Sequence, residues 1–299
     1  MSVLVVGSVA FDTVTTPFGK REKILGGSAT YFSYSCSFFA PVHLVAVVGE
    51  DFPREHRKLL EDKGVNLDGL QVAPGKTFHW GGAYQYDMNE AETEFTDLNV
   101  FQDFHPRLPE SCRSCEYVLL ANIDPDLQLE VLDQVEKPRL VAGDTMNLWL
   151  ELKKERVEEV IGRLDILILN DAEARQFTGL VGLKNAADRI LELGPRAVVI
   201  KKGEHGALLF TRDEVFSAPG LPLEKVVDPT GAGDSFAGGF IGHLARSGES
   251  SFPALKQAVI YGSVMASFNV EDFSLERLKR IGPGDIKDRY RRFQALAGF

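Results

Sequence analysis

Short apolar runs alternate with amphipathic segments along most of this 299-residue chain, and no other feature constrains the fold as strongly. The runs are rich in β-branched residues, as expected for strands of a parallel sheet that helices cover on both faces. They occupy residues 3–6, 44–48, 117–121, 139–142, 166–169 and 197–200. Helical patterns lie between them, at 29–40, 53–63, 127–135, 150–161 and 186–193. This order predicts an α/β fold with a mostly parallel sheet flanked by helices.

One region departs from this alternation. Residues 78–86 and 93–96 alternate between apolar and polar side chains around a turn-like segment at 87–90, which predicts an antiparallel hairpin. The extended residues 13–23 can join this hairpin in a small sheet. We interpret the sheet as a lid, formed by about residues 13–24 and 77–97 and inserted into a single domain over residues 1–299. The alternative is an edge decoration or a dimer contact.

Charge and cysteine content exclude several classes of protein. The 33 Lys and Arg residues against 43 Asp and Glu give a net charge of −10, which disfavours nucleic acid as a partner. The sequence has no apolar run of the ~18 residues that a membrane helix needs, and its start lacks the basic segment of a signal peptide. We therefore expect a cytoplasmic protein with no membrane partner. Cys112 and Cys115 form a C-x-x-C pair without further ligands nearby, so we expect ordinary reduced thiols.

The strongest local motif is Asp-Pro-Thr-Gly-Ala-Gly-Asp-Ser-Phe-Ala-Gly-Gly-Phe at residues 228–240. A strand-like pair at 226–227 leads into a glycine turn, and a helix is predicted from about Ser235. The backbone N–H groups of Gly231, Ala232 and Gly233 would converge near the positive end of that helix, which suits the negative charge of a phosphoryl group. Asp234 then lies where a carboxylate could take a proton from an attacking hydroxyl. The alternative is that Asp234 only caps the helix.

Two common nucleotide-binding loops are missing from the sequence. It contains neither G-x-x-x-x-G-K-[ST] nor a G-x-G-x-x-G that follows a strand, which disfavours a P-loop NTPase and a dinucleotide dehydrogenase. Five segments instead resemble, in order, the motifs of the ribokinase-like (PfkB) family of carbohydrate and nucleoside kinases. They are residues 7–12, 26–31, 170–173, 201–206 and 228–240. The resemblance implies a three-layer ribokinase-like fold with a small β-sheet lid.

The same resemblance implies roles for individual residues on the acceptor side and at the reacting centre. Asp234 would be the catalytic base. An anion hole would be formed by Gly231, Ala232 and Gly233, and the acceptor's hydroxyl groups would be held by Asp12, Gly26 and Gly27. Tyr31, which follows the two glycines, is a further candidate for binding the acceptor.

On the nucleotide side, the resemblance implies that Asn170 and Glu173 position Mg²⁺ through waters near the phosphates of ATP. This fits the preference of that hard cation for oxygen ligands and retained waters. Taken alone, the Asn-x-x-Glu pair is equally typical of a capped helix start. Lys201 and Gly203 would meet the ATP phosphates, although a solvated lysine at a strand end is the alternative for Lys201. Asp228 would contribute to a site for a monovalent cation such as K⁺.

Tyr31 departs from the family pattern, which usually carries an asparagine there, and Lys201 stands where a small polar residue is usual. An aromatic ring in place of an amide favours a nucleoside, because a base gains by stacking on an aromatic face. The segments that should border the acceptor pocket contribute further aromatic residues, Phe11, Phe32, Phe78 and Trp80. The alternative is that these rings pack the lid against the core.

Together these observations predict an ATP-dependent kinase that phosphorylates the primary, 5′-type hydroxyl of a small ribofuranoside. A nucleoside is the first choice of acceptor and a free sugar such as ribose or fructose the second, because the fold serves both. A non-catalytic nucleotide-binding regulator is a third hypothesis, and the intact Asp234 argues against it. Edge strands of the lid invite pairing, so a homodimer through the lid is also predicted.

Overall fold

The computed structural model describes residues 1–89 and 91–298, and these residues form a nine-stranded sheet that contains every predicted parallel strand. Seven neighbouring strands are parallel, and two antiparallel strands extend one edge. In sheet order they are β13 (Val215–Ala218), β12 (Ala207–Phe210), β11 (Ala197–Lys201), β10 (Ile166–Asn170), β9 (Leu140–Gly143), β8 (Tyr117–Leu120), β1 (Val3–Val6), β4 (Val42–Gly49) and β5 (Val65–Ala73).

Helices cover both faces of this sheet and complete the three predicted layers. One face packs against α1 (Ser28–Cys36), α2 (Arg54–Asp62), α9 (Ala232–Ser247), α10 (Phe252–Asn269) and α11 (Pro283–Ala297). The other packs against α3 (Glu110–Arg113), α4 (Pro125–Leu132), α5 (Asn147–Leu152), α6 (Lys154–Ile161), α7 (Asp171–Thr178) and α8 (Leu183–Leu191). Successive strand residues alternate between the two cores, as Leu119 and Leu120 of β8 do.

The predicted small sheet is confirmed. Within the described residues it has the strand order β3 (Gly19–Gly26), β2 (Ala10–Thr16), β6 (His79–Tyr84) and β7 (Ala91–Asp97). The β2–β3 and β6–β7 pairs are antiparallel, and β2 runs parallel to β6. Of the turn predicted at 87–90, residue 90 lies outside the described residues. This small sheet packs through Val14, Trp80 and Tyr84 against Val227 and Phe273 of the main body.

Three local predictions were wrong. The pair 226–227 is not a strand, because the N–H of Val227 donates to the Val270 carbonyl in a loop. Helix α9 begins at Ala232 rather than at 235, since Gly231 adopts a left-handed φ of 74° and starts the helix earlier. The segment 150–161 is two helices, broken at Lys153, where the backbone leaves helical angles and the ammonium binds Asp124 and Asp126.

The three cysteines lie in the interior of the protein. Cys36, Cys112 and Cys115 are buried thiols. Over the described residues, no helix is both long and apolar enough to cross a membrane.

Candidate active site

The predicted site residues come together at the carboxyl ends of the parallel strands. Such an edge is where open α/β sheets bind ligands. Asn170 and Lys201 end two neighbouring strands, β10 and β11, while α9 supplies Asp234 in its first turn. The small sheet supplies Asp12 from β2.

Residues 228–234, called the catalytic loop after the role predicted for them, comprise a sharp turn and the first three residues of α9. The N–H groups of a first helical turn lack carbonyl partners, which makes this end suitable for an anion. Ala232 is an exception, since its N–H donates to the Pro229 carbonyl at 3.1 Å. The N–H of Ala232 is therefore already used in this structure. The predicted anion hole would be formed by the N–H groups of Gly231 and Gly233.

Asp234 is the third residue of α9 and remains partly accessible. Burial and the neighbouring Asp144 carboxylate raise its pKa to about 7, while Lys201 opposes the shift. The alternative of a helix cap is wrong: the N-cap position belongs to Gly231, and within the described residues no side chain makes the capping bond. A partly accessible carboxyl with a pKa near neutrality is suited to act as a general base.

Lys201 lies beside the catalytic loop and is not a solvated lysine. Its Nζ is 3.2 Å from Asp144 Oδ2, and a β-carbon at Gly233 would lie 2.9 Å from the same nitrogen. The glycine therefore leaves room for the ammonium next to the anion hole. Burial disfavours the charge of Lys201, but Asp144, Glu173 and Asp234 outweigh it and raise its pKa. Gly203 follows Lys201 closely, in a short 3₁₀ turn at Gly203–His205 with φ 54°.

Glu173 takes part in a capping box at the start of α7. The Asn170 side-chain oxygen accepts the Glu173 N–H at 2.8 Å, and Glu173 Oε2 accepts the Asn170 N–H at 2.7 Å. The capping interpretation is therefore confirmed, and it leaves the second carboxylate oxygen uncommitted. Burial and Asp144 raise the pKa of Glu173 to about 7, with Lys201 opposing.

The donor set around Asp144 and Glu173 fits Mg²⁺. Both groups are carboxylates, the oxygen ligands that this ion prefers, and their shared negative charge is incompletely balanced by Lys201. Over residues 1–89 and 91–298, no group of three or more His, Cys, Asp or Glu side chains forms a dedicated metal cage. Mg²⁺ is typically bound by one or two carboxylates together with phosphate oxygens and waters.

The predicted acceptor side centres on Asp12, which is 4% exposed. A β-carbon at Gly26 would overlap its carboxylate, and one at Gly27 (φ 93°) would lie 2.5 Å from the Ser8 carbonyl oxygen. The two glycines are thus needed for the backbone to pass this close. Burial and the Asp228 carboxylate raise the pKa of Asp12 to about 8, whereas a hydrogen bond from Tyr31 lowers it.

Tyr31 joins the acceptor side to the catalytic loop. Its hydroxyl donates to Asp12 Oδ2 at 3.4 Å, and its ring covers Gly231 so closely that a β-carbon there would overlap it. The ring is only 1% exposed, so the expectation of a stacking face for a base was wrong for this residue. Trp80 packs in the same way against Val14 and Phe273, as the packing alternative predicted.

Asp228 is fully buried and ties the catalytic loop to the segment after α10. One oxygen accepts the Thr230 N–H at 2.9 Å and the other the Ser274 N–H at 3.4 Å. These bonds fix the loop, and the role of Asp228 at a monovalent cation stays a prediction.

The sequence analysis assigned no role to three residues near the site: Asp144, Tyr84 and Thr230, although Thr230 lies within the motif at 228–240. Asp144 follows the apolar strand β9 directly, so its place at the carboxyl end of a parallel strand was an available signal. Thr230 donates from Oγ1 to the Tyr84 hydroxyl at 3.3 Å, a contact across 146 positions that no local pattern reveals.

With this geometry established, comparison with known proteins gives the family. Residues 5–277 match the pfkB family of carbohydrate kinases. The chain belongs to this family. As a pfkB-family kinase it is a phosphotransferase that acts on hydroxyl groups. It is 32% identical to a cytidine kinase of Thermococcus kodakarensis over 253 residues, which cover 82% of this chain and 89% of that protein. It is 26% identical to a nucleoside kinase of Methanothermobacter thermautotrophicus, with 90% and 89% covered.

Solved structures agree on the fold. A nucleoside kinase of Burkholderia thailandensis in complex with inosine superposes with a TM-score of 0.78 at 19% identity, covering 99% of this chain and 98% of that one. A putative ribokinase II of E. coli in complex with ATP and Mg²⁺ gives a TM-score of 0.77 at 18% identity, covering 97% and 99%. The pfkB-family chain described here therefore has the ribokinase-like fold.

Proposed function

We propose that this pfkB-family protein is an ATP-dependent nucleoside kinase that phosphorylates the primary 5′ hydroxyl of its acceptor. The observation that carries the proposal is the contact made by Tyr31, whose hydroxyl meets Asp12 and whose ring meets Gly231. This single side chain brings the acceptor-binding carboxyl next to the start of α9, where Asp234 lies. A hydroxyl held at Asp12 is thereby directed toward a base and an anion hole.

The residues of the chain account for the transfer by positioning and charge. The acceptor hydroxyl oxygen attacks the γ-phosphorus of ATP, Asp234 accepts the hydroxyl proton, and the bond to the ADP oxygen breaks. The N–H groups of Gly231 and Gly233, the positive end of α9 and the Lys201 ammonium lie where negative charge develops on the phosphoryl oxygens.

Glu173 and Asp144 would hold Mg²⁺, which neutralises phosphate charge when bound. The Asn170 N–H holds the Glu173 side chain through the capping box. The turn that begins at Gly203 would contact the phosphates of ATP. A K⁺ site at Asp228 is part of the proposal as well. It is supported only by the carboxylate's buried position beside the catalytic loop, and a rate that does not change on replacing K⁺ with a bulky organic cation would contradict it.

The choice of a nucleoside is supported by the cytidine and nucleoside kinases among the relatives and by one cluster in the structure. Asn122 follows β8, and its amide oxygen accepts the Trp149 indole N–H at 3.0 Å while its nitrogen lies 3.1 Å from Met146 Sδ. All three side chains are partly accessible at the same sheet edge as Asp144. An aromatic ring, a thioether and an oriented amide are suited to a flat, polar base.

A direct test is phosphoryl transfer from Mg-ATP to cytidine, uridine, adenosine, inosine, guanosine, ribose and fructose, with the product position assigned by ³¹P and ¹H NMR. We expect a 5′-monophosphate from at least one nucleoside at a kcat/KM well above that for either sugar. Good turnover of ribose or fructose with every nucleoside inert would contradict the nucleoside proposal. ATP binding without transfer to any acceptor would favour the regulator.

Two further proposals concern assembly and location. The outer strands β3 and β7 of the small sheet are exposed edges, and paired edges would make a homodimer. Sedimentation equilibrium tests this, with a monomer at micromolar concentration as the contradicting result. A cytoplasmic location is supported by the three thiol cysteines, which are typical of a reducing compartment.

A further inference from the structure

Tyr84 belongs to the small sheet and contacts the catalytic loop through Thr230, but the proposed mechanism gives it no role. It ends β6 of the small sheet, on the same face as Trp80, because alternate residues of a strand share a face. Its hydroxyl accepts a hydrogen bond from Thr230 Oγ1 at 3.3 Å. Burial raises its pKa, as do the carboxylates of Asp228, Asp12 and Asp234. The phenol therefore stays protonated and neutral among the three acidic groups of the site.

Its partner Thr230 is held rigidly and immediately precedes the anion hole. The Thr230 N–H donates to Asp228 at 2.9 Å, and the Thr230 carbonyl accepts the Asn269 amide at 2.7 Å. Asn269 in turn accepts the Ser235 hydroxyl at 3.0 Å, inside α9. Thr230 is thus anchored to the main body on both sides of its peptide unit. Its hydroxyl donates a hydrogen bond that joins this anchored loop to the small sheet.

The acceptor-binding carboxyl and the proposed base belong to these two bodies. Asp12 lies on the small sheet and Asp234 on α9. The distance between the two carboxyl groups therefore depends on how the small sheet packs against the catalytic loop. Apolar packing of Val14 and Trp80 against Val227 and Phe273 holds the sheet down but is non-directional. A hydrogen bond fixes direction as well as distance.

We propose that Tyr84 is a positioning residue that acts through Thr230. Its hydrogen bond fixes the position of the small sheet against the catalytic loop and thereby aligns the acceptor hydroxyl with Asp234. This inference rests on hydroxyl phosphorylation and not on the nucleoside as acceptor. It is therefore tested with whichever acceptor the wild-type enzyme uses best, and a free sugar serves if no nucleoside reacts.

The experiment is a kinetic double-mutant cycle of Tyr84→Phe and Thr230→Val. Each single variant removes one oxygen-based partner of the same bond, and we expect each to lower kcat by about tenfold, the effect of one hydrogen bond. KM for acceptor and for ATP should change by less than about threefold. Because both variants break one interaction, the double variant should be no slower than the slower single variant. Thr230→Ser keeps the hydroxyl and should restore most of kcat.

Tyr86→Phe is the matched control, since Tyr86 is two residues away and 92% exposed. It should match the wild type, and melting temperatures and ATP-analogue affinity should be the same in all variants. A Tyr84→Phe enzyme as fast as Tyr86→Phe would overturn the proposal. So would multiplicative losses in the double variant, or a loss confined to acceptor KM, which would make Tyr84 a binding residue that acts independently of Thr230.

Discussion

The proposed acceptor side and the proposed phosphoryl-transfer side of this site each contain a carboxyl group with a raised pKa, but the two groups have different neighbours. Asp12 is flanked by the neutral Tyr31 hydroxyl and the Asp228 carboxylate, and its pKa is raised to about 8. Asp234 shares its surroundings with Asp144 and Lys201, and its pKa is about 7. The acceptor carboxyl is therefore largely protonated at neutral pH and can both donate and accept hydrogen bonds. The other side is a charged network, which in the proposed mechanism would bind phosphate and metal and accept the proton of the acceptor hydroxyl.

The largest expected effect comes from removing the base. Asp234→Asn keeps the size of the side chain, and we expect kcat to fall by roughly 10²- to 10⁴-fold because the hydroxyl proton loses its acceptor. Melting temperature and ATP-analogue binding should remain close to the wild type, which separates lost chemistry from lost folding. Turnover near the wild-type value would show that the two carboxyls have been assigned wrongly.

Lys201 is the charged residue that distinguishes the two sides, so its substitution should have the next largest effect. Lys201→Met should lower kcat/KM for ATP by about 10²-fold, the range for one lost charge-stabilising donor. Because Lys201 lowers the pKa of Asp234, its loss should also shift the acidic limb of the rate profile to higher pH.

The control for this variant is Lys184→Met, which changes an exposed lysine of α8 that pairs with Asp188. It should leave both the rate and its pH profile unchanged. Equal effects of the two substitutions would remove Lys201 from the mechanism.

Substitution of Glu173 tests whether the phosphoryl-transfer side also binds Mg²⁺. Glu173→Gln can still accept the Asn170 N–H, so we expect little loss of stability. The Mg²⁺ concentration for half-maximal rate should rise about tenfold, the lower range for groups that orient a metal. Asp171→Asn, in the same helical turn, is the control. An unchanged Mg²⁺ requirement would leave Glu173 with the capping role alone.

The acceptor carboxyl should be visible in the pH dependence of stability of the unliganded protein. Asp12 has a folded-state pKa raised to about 8, so the folded state binds the proton more tightly than the unfolded chain. Its contribution is fully present below about pH 4 and is lost as pH rises through 8. Asp12→Asn should therefore flatten the decline by about 1 kcal/mol per pH unit between pH 5 and 8, measured by urea unfolding. Asp97→Asn, an exposed carboxylate of the same sheet, should leave the profile parallel to wild type.

The local chemistry of the site could be predicted from the sequence, whereas the long-range contacts could not. The glycines and Asp234 are adjacent in the chain, and a turn into a helix brings them together whatever the remaining fold does. Asp144 follows β9 directly and Lys201 ends β11. Their 3.2 Å contact depends on the order of the strands in the sheet, which a single sequence leaves open. The prediction that the Tyr31 ring would be open to a base was wrong for the same reason. Gly231, which covers the ring, lies 200 positions later in the chain.

The smallest predicted effect concerns this Tyr31 contact, which joins the two sides. Tyr31→Phe keeps the ring on Gly231 and removes only the hydroxyl, so we expect KM for the acceptor to rise about five- to tenfold while KM for ATP and kcat change little. The Tyr31 hydrogen bond lowers the pKa of Asp12, so its loss should raise that pKa further and carry the decline of stability to higher pH. Tyr34→Phe, on the same helix and equally buried at 2% exposed, is the control for a lost buried hydroxyl. If both variants raise acceptor KM alike, or neither does, Tyr31 acts only as packing. If Tyr31→Phe lowers kcat strongly with KM unchanged, its hydroxyl serves the transferring side, and the separation of the two sides at Gly231 is incorrect.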